Sequence, residues 1–461
     1  MAIEYACIVP HPPLIIPAVG RGKESKIAAT TENYHKVAKE IARIKPETIV
    51  VASPHAVMYG DYIHISPGKS AEGGFDHFGA PHERFEKTYD TEFVSTLSDI
   101  VFDKNIHAGT LGERDPELDH GTMVPLYFID QYYKNYRLVR VSLSGLSYLE
   151  HYRFGSCVAQ AAQKLGRKTV FVASGDLSHK LMKSGPYGFA AEGPEFDEQV
   201  TAAMRAGDFY RFFDFAETFT EAAAECGLRS FIEMAGALDG LAVKPTAFSY
   251  EGPFGVGYGV CGYKIGAADE NRRFADIYEL KQAKMLAETK EKEDAYVKLA
   301  RLSLETYVTT GKRAKLPKSL PKDMTDSRAG VFVSLKKNGR LRGCIGTIEP
   351  AEESIAQEIL RNAVSAGTGD PRFDPVTQDE LPTLVYSVDV LGQAELAPSM
   401  DDLDVQRYGV IVTKGYKRGL LLPNLEGVNT PEEQVNIALQ KAGILRNDKY
   451  TMERFEVVRH K

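Results

Sequence analysis

The sequence is poor in the features that mark most specialised chains. Its five cysteines (Cys7, Cys157, Cys226, Cys261 and Cys344) are odd in number, scattered and free of CxxC spacing. That argues against a disulfide framework or a cysteine-built zinc module, and it points to a reducing, cytoplasmic setting. No apolar run approaches the roughly 20 residues that a bilayer-spanning helix needs. The opening MAIEYACIVPHPPLIIPAVG lacks a basic leader and is interrupted by Pro10, Pro12, Pro13 and Pro17, so it reads as a strand and loop, not a signal peptide. No long block of like charge occurs and the net charge is -7, so neither nucleic acid nor a membrane is an expected partner. No GxGxxG opens a helix after a strand, which argues against a dinucleotide loop.

What is present is the balance of a globular protein, 43% hydrophobic and 26% charged, at a length of 461 residues that suggests two domains. Up to about residue 265, short apolar runs alternate with amphipathic stretches. Strands are expected at Glu4–Val9, Thr48–Ser53, Tyr62–Ser66, Leu138–Ser142, Lys168–Ala173 and Val256–Tyr263. Helices are expected at Glu24–Ile44, Asp90–Phe102, Tyr148–Leu165 and Gly193–Ala206, and over the run Asp214–Gly240. This pattern predicts an α/β domain over 1–265, an open, mainly parallel sheet with helices on both faces. A charged stretch without Gly or Pro follows, read as a connector over 266–284, and a second domain covers 285–461. There, Asn338-Gly339 supplies a hairpin turn, and helices are expected at Ala351–Ser365 and Pro431–Ala442.

Three histidines share one structural address. His11 (VPHPP), His55 (VVASPHA) and His179 (VFVASGDLSH) each follow the carboxyl end of an expected strand, where α/β sheets assemble their sites. Neutral imidazoles suit Fe, Zn, Cu or Ni, and two with a carboxylate leave positions open for substrate. Glu251 in SYEGPFG is the foremost carboxylate, with Asp176, Asp61 and Glu117 as competitors. His77 and His82 in FDHFGAPHERF read as solvated loop residues, and His120 as a loop residue before Gly121.

The ordered set PHPP, ASPH, LDHGTMVPL, ASGDLSH and SYEGPFG resembles the LigB-like class III extradiol dioxygenase superfamily, and within it the Memo branch. The resemblance implies Fe(II) held by His11, His55 and Glu251, with Zn, Cu or another divalent metal as alternatives. It implies acid/base work for His179 and assistance from His120. The activity it implies is a non-haem iron oxidoreductase acting on a phenolic or chelating small molecule. Memo-type proteins vary in the third ligand, which is Cys in some; Cys261, close to Glu251 in sequence, reads as a buried strand residue.

GVFVSLKKNGRLRGCIGT, GDPRFDPV and GLLLP resemble the AMMECR family, which implies an α+β domain with an antiparallel sheet. Arg342, Cys344, Asp370 and Arg372 form a candidate ligand-binding cluster there, weighed against a purely structural Cys344. The two halves together resemble the fused form of the AmmeMemoRadiSam system, implying a separate radical-SAM partner, since the chain has no CxxxCxxC motif. Two other functions stay open: a metal-dependent hydrolase or lyase in such a pathway, and a metal-binding scaffold.

Overall fold

Buried β-branched runs organise the first half of the chain around one sheet. Its strands are β1 (Ile3–Val9), β2 (Thr48–Ser53), β3 (Arg137–Ser142), β4 (Thr169–Ser174), β5 (Leu241–Glu251) and β6 (Tyr258–Ala268). Their order is β3-β2-β4-β1-β6-β5. The first four are parallel, and β6 and β5 complete the sheet antiparallel. The mainly parallel α/β architecture is therefore present. β2 and β4 are buried along their whole length, as strands covered on both faces must be. The structure is a computed structural model that describes residues 3–337, 339–425 and 427–461.

Alternation along the strands feeds two cores. Ala6, Ile8, Val50 and Ala52 enter one; Tyr5, Cys7, Val9, Ile49 and Val51 enter the other. Helix Ala28–Ile44 covers the second with Tyr34, Val37, Ala38 and Ile41, one stripe at helical spacing. On the first face, helix Tyr148–Leu165 opens with a Ser147/Glu150 capping box and stops at left-handed Gly166. It crosses helix Leu228–Ala237 at close range: a Cβ on Gly155 would sit 1.9 Å from the Glu233 carbonyl oxygen, and one on Gly236 would sit 1.9 Å from that of Tyr152.

Several expectations need correction. The run Asp214–Gly240 is two helices, Glu217–Ala223 and Leu228–Ala237, separated by left-handed Ala224 and the Cys226-Gly227 turn. The Tyr62–Ser66 strand shrinks to Ile63–His64. A hairpin, Ser70–Phe75 with Ala80–Thr88, replaces the loop that carries His77 and His82, both exposed. His120 is the first residue of helix His120–Asp130, not a loop residue: Asp119 caps it, and the helix tolerates Pro125 in its second turn.

The chain divides into two compact units, Met1–Leu280 and Lys281–Lys461. The segment read as a connector holds the end of β6 and part of helix Phe274–Lys292. The second unit is α+β, with two four-stranded antiparallel sheets. Helices Ala295–Thr310 and Ile355–Thr368 pack on the sheet that contains hairpin Val331–Lys337/Arg340–Gly346. The turn residue Asn338 lies outside the described residues.

Candidate metal centre

The carboxyl ends of β1, β2 and β4 deliver three segments to one place. His11 and His55 point their Nε2 atoms at each other across 3.0 Å, and Cys226 Sγ lies 3.6 Å from His11 Nε2. These three donor atoms lie within 4.8 Å of one another, the one such group among the described residues. Two glycine contacts make the convergence possible. A Cβ on Gly175, just after β4, would fall 2.1 Å from Gly227 Cα, so only glycine lets that loop press against the turn carrying Cys226. A Cβ on Gly121 would fall 2.4 Å from Ser53 Oγ, blocking the helix N-terminus that brings His120 beside His55.

Hydrogen bonds orient the imidazoles. Ser174 Oγ donates to the Gly121 carbonyl (2.6 Å) and therefore accepts from His11 Nδ1 (3.0 Å), leaving the His11 Nε2 lone pair for a metal. His179 Nδ1 donates to the Ala224 carbonyl at 2.6 Å, so its Nε2 is also the free nitrogen. The His120 ring lies 4.0 Å from that of His55 and 5.4 Å from that of His11. Ser53 Oγ donates to Asp119 and accepts from the His55 main chain, holding the segment after β2.

Burial keeps these imidazoles neutral. It drives His11 well below the ordinary value, with His55, His120 and His179 adding to the effect. Burial and then His120 bring His55 down to about 4, and burial also lowers His120 and His179. Burial raises the Cys226 thiol, with Asp176 and Glu225 adding to the rise. Asp176 accepts from the His11 main-chain N–H at 2.8 Å, yet burial pushes its carboxyl up to about 7. The site thus gathers neutral donors, with His11 buried, Cys226 half-buried and His55 exposed, and a bound cation would take the thiol as thiolate.

Glu251 is not in this group. Its Oε2 accepts from Thr30 N and Thr30 Oγ1, both at 2.7 Å, in the first turn of helix Ala28–Ile44. A carboxylate there satisfies a free helix N–H and faces the positive end of the helix dipole. Cys226 stands where the sequence suggested a carboxylate. Cys261 is indeed a buried strand cysteine, its thiol against the Met204 carbonyl. Of the competing carboxylates, Asp176 touches His11 only through the main chain, Asp61 lines a separate surface cavity with Tyr59 and Phe102, and Glu117 is exposed. Cys226 escaped the sequence reading because AECGLRS was read straight through as helix; its Cys-Gly pair, a helix breaker beside a donor, was the available signal.

In the second unit the four candidate residues separate into two arrangements. Arg342 is held by both Glu380 oxygens (3.0 and 2.8 Å) and by the Asp374 carbonyl. Although burial acts upward on Glu380, Arg342 and Lys337 bring it down to about 2. Asp370 accepts from Arg372 and from the Cys344 main-chain N–H, and Arg372 in turn reaches the Cys344 carbonyl. The Cys344 thiol accepts from Ser334 Oγ at 3.1 Å, and burial raises it. These bonds tie a loop to a strand and leave Cys344 protonated at neutral pH.

Comparisons with known proteins follow this division. Residues 5–261 match the family model described as the catalytic LigB subunit of aromatic ring-opening dioxygenase, and residues 297–460 match AMMECR1. A Clostridium acetobutylicum protein is 43% identical over 479 residues, covering 100% of both chains. A Thermotoga maritima protein is 48% identical over 37% of this chain and 98% of its own. Among solved structures, protein PH0010 of Pyrococcus horikoshii is 32% identical over 37% of this chain and 90% of its own, with a TM-score of 0.35. Among the described residues, no helix is long and apolar enough to cross a membrane.

Proposed function

Because the chain belongs, through residues 5–261, to the LigB family of the class III extradiol dioxygenase-like superfamily, and carries an AMMECR1 domain at 297–460, we propose that its first unit is a metal-dependent oxidoreductase. Its substrate would be a phenolic or otherwise chelating small molecule. The observation that carries this reading is the convergence of His11, His55 and Cys226 donor atoms within 4.8 Å. The family typically binds iron; here two imidazoles and a thiolate replace the two-histidine, one-carboxylate face of non-haem Fe(II) enzymes. That softer donor set also suits copper or zinc. When bound, such an ion supplies Lewis acidity, and copper adds one-electron redox chemistry.

The protein's own groups have separable roles in this reading. Ser174 fixes the His11 tautomer so that its Nε2 faces the metal. His179, with Nδ1 committed to Ala224, offers Nε2 to take a proton from a substrate hydroxyl. His120, its ring tilted 32° to that of His55, would donate to a developing oxyanion. Asp176 anchors the His11 main chain.

Cys226 also favours a second reading, a zinc-dependent hydrolase or lyase that uses no oxygen. In either case a separate radical-SAM protein is the proposed partner, with the AMMECR1 domain as the proposed contact. Metal analysis of anaerobically purified full-length protein is the first test: stoichiometric iron, copper or zinc is expected, and no bound metal refutes both readings. Oxygen consumption by the loaded protein with a panel of catechols separates them. Uptake supports the oxidoreductase, and silence across the panel favours the second reading.

A further inference from the structure

Two exposed aromatic rings each touch one histidine of the cluster. Phe78 is 38% exposed, and its ring centre lies 5.6 Å from that of His120. Tyr187 is 59% exposed, with its ring 5.1 Å from that of His179 and nearly perpendicular to it, at 88°. Each ring keeps apolar surface in water beside a histidine of the same cluster, where a ligand could cover it. A tilted or perpendicular contact uses only part of each ring and leaves the remainder open to a ligand.

Neither ring rides on a loose segment. Phe78 ends the 3-10 turn Asp76–Phe78 of the hairpin, over buried Phe75, and Arg21 donates to the Gly79 carbonyl beside it. Left-handed Gly79 makes that turn. Tyr187 sits in a loop closed by the Leu181–Phe189 bridge, in which Gly185 donates to the Met182 carbonyl and packs against Gly255. The two loops hold their rings in advance, so closing on a flat ligand orders little extra chain.

We propose that Phe78 and Tyr187 are the jaws of the pocket and select a planar aromatic ligand over a saturated one with the same donor spacing. This specificity role rests on the metal-centre reading, and it places recognition in the hairpin turn and the 181–189 loop. The metal ligands would read the substrate's oxygens, and the jaws would read its flatness.

The chain has no tryptophan, so Phe78→Trp introduces a single fluorophore at the mouth while keeping an aromatic there. The full-length variant is titrated with catechol and with cis-cyclohexane-1,2-diol, each with and without Zn(II). Catechol is expected to shift the emission and to bind about tenfold more tightly than the saturated diol. Tyr187→Ala in the same background is expected to weaken catechol about three- to tenfold and to leave the diol unchanged. Phe78→Ala, read by calorimetry, should do the same. Equal affinity for the two diols, no catechol binding, or unchanged catechol affinity in Tyr187→Ala overturns the proposal. The metal reading has its own signal: Zn(II) alone should change the tryptophan emission, and His11→Ala should abolish that change. Loss of the metal signal with ring preference intact refutes the metal centre and spares the jaws; the reverse refutes the jaws alone.

Discussion

Exchanging the fates of Cys226 and Glu251 tests the proposed metal centre most directly, because the sequence pointed to Glu251 whereas the folded chain brings Cys226 to the two histidines. Cys226→Ala removes one of three converging donors. Loss of a residue that only supports a ligand costs about 10–100-fold in metal affinity, so loss of a ligand should cost at least that much. Glu251→Gln removes a charge that accepts two 2.7 Å hydrogen bonds from Thr30. Charged hydrogen bonds contribute about 1.5–3 kcal/mol, and glutamine keeps one neutral acceptor, so a stability loss of about 1–2 kcal/mol is expected. Its metal affinity should stay within about twofold of wild type, since the change lies outside the donor set. Competition for Zn(II) against a chromophoric chelator reads the first quantity, and urea unfolding followed by circular dichroism reads the second. If Glu251→Gln releases the metal while Cys226→Ala retains it, the assignment of the third ligand is wrong.

Other expectations follow from single contacts. His179→Gln should keep the metal and lower kcat by about 10²–10⁴-fold if this histidine transfers the proton, so near-normal turnover in an assay with an accepted substrate would remove it from that role. Glu233 is fully buried, neither of its carboxylate oxygens has a hydrogen-bond partner among the described residues, and burial holds its pKa well above 4.5. A raised folded-state pKa means stability is fully present below pH 4.5 and is lost as pH rises, about tenfold in the folding equilibrium per unit until the folded pKa is reached. Glu233→Gln should therefore stabilise more at pH 6.5 than at pH 4.5 in paired urea titrations; a pH-independent gain would contradict this. Gly155→Ala and Gly236→Ala should each destabilise by about 1–3 kcal/mol through main-chain overlap, despite a helix-propensity gain of about 1 kcal/mol. A higher melting temperature for either would show that the two helices part without cost.

The elements most legible in the sequence were those whose local signals and tertiary environment agree. Helix Tyr148–Leu165 carries its capping box, its apolar stripe and its terminal glycine in the chain itself, and Thr48–Ser53 is an uninterrupted apolar run. β5 was missed because it is an antiparallel edge strand of mostly half-buried residues, with exposed Lys244 followed by Pro245 and no clean alternation. Helix His120–Asp130 was missed because Gly121 and Pro125 disfavour a helix locally; Asp119 and burial override them. In the site, His11, His55 and His179 were readable because each follows a strand of a parallel sheet. The third converging donor was not, because Cys226 arrives from a break between helices on the far side of a glycine-to-glycine contact that only the folded chain reveals.

The spacing of the three donors has a consequence for how the protein is made. His11 and His55 are 44 residues apart, whereas Cys226 follows His11 by 215. During synthesis the two histidines leave the ribosome long before the thiol exists, and β1 cannot take its central place until β4 and β6 have been made. The nascent chain thus offers only an incomplete pair of donors, and under the proposed metal reading tight uptake would wait until the sheet has closed around its middle strand. Metal occupancy would then be a record of completed assembly: a chain truncated or misfolded beyond residue 55 would keep both histidines and still fail to hold the ion.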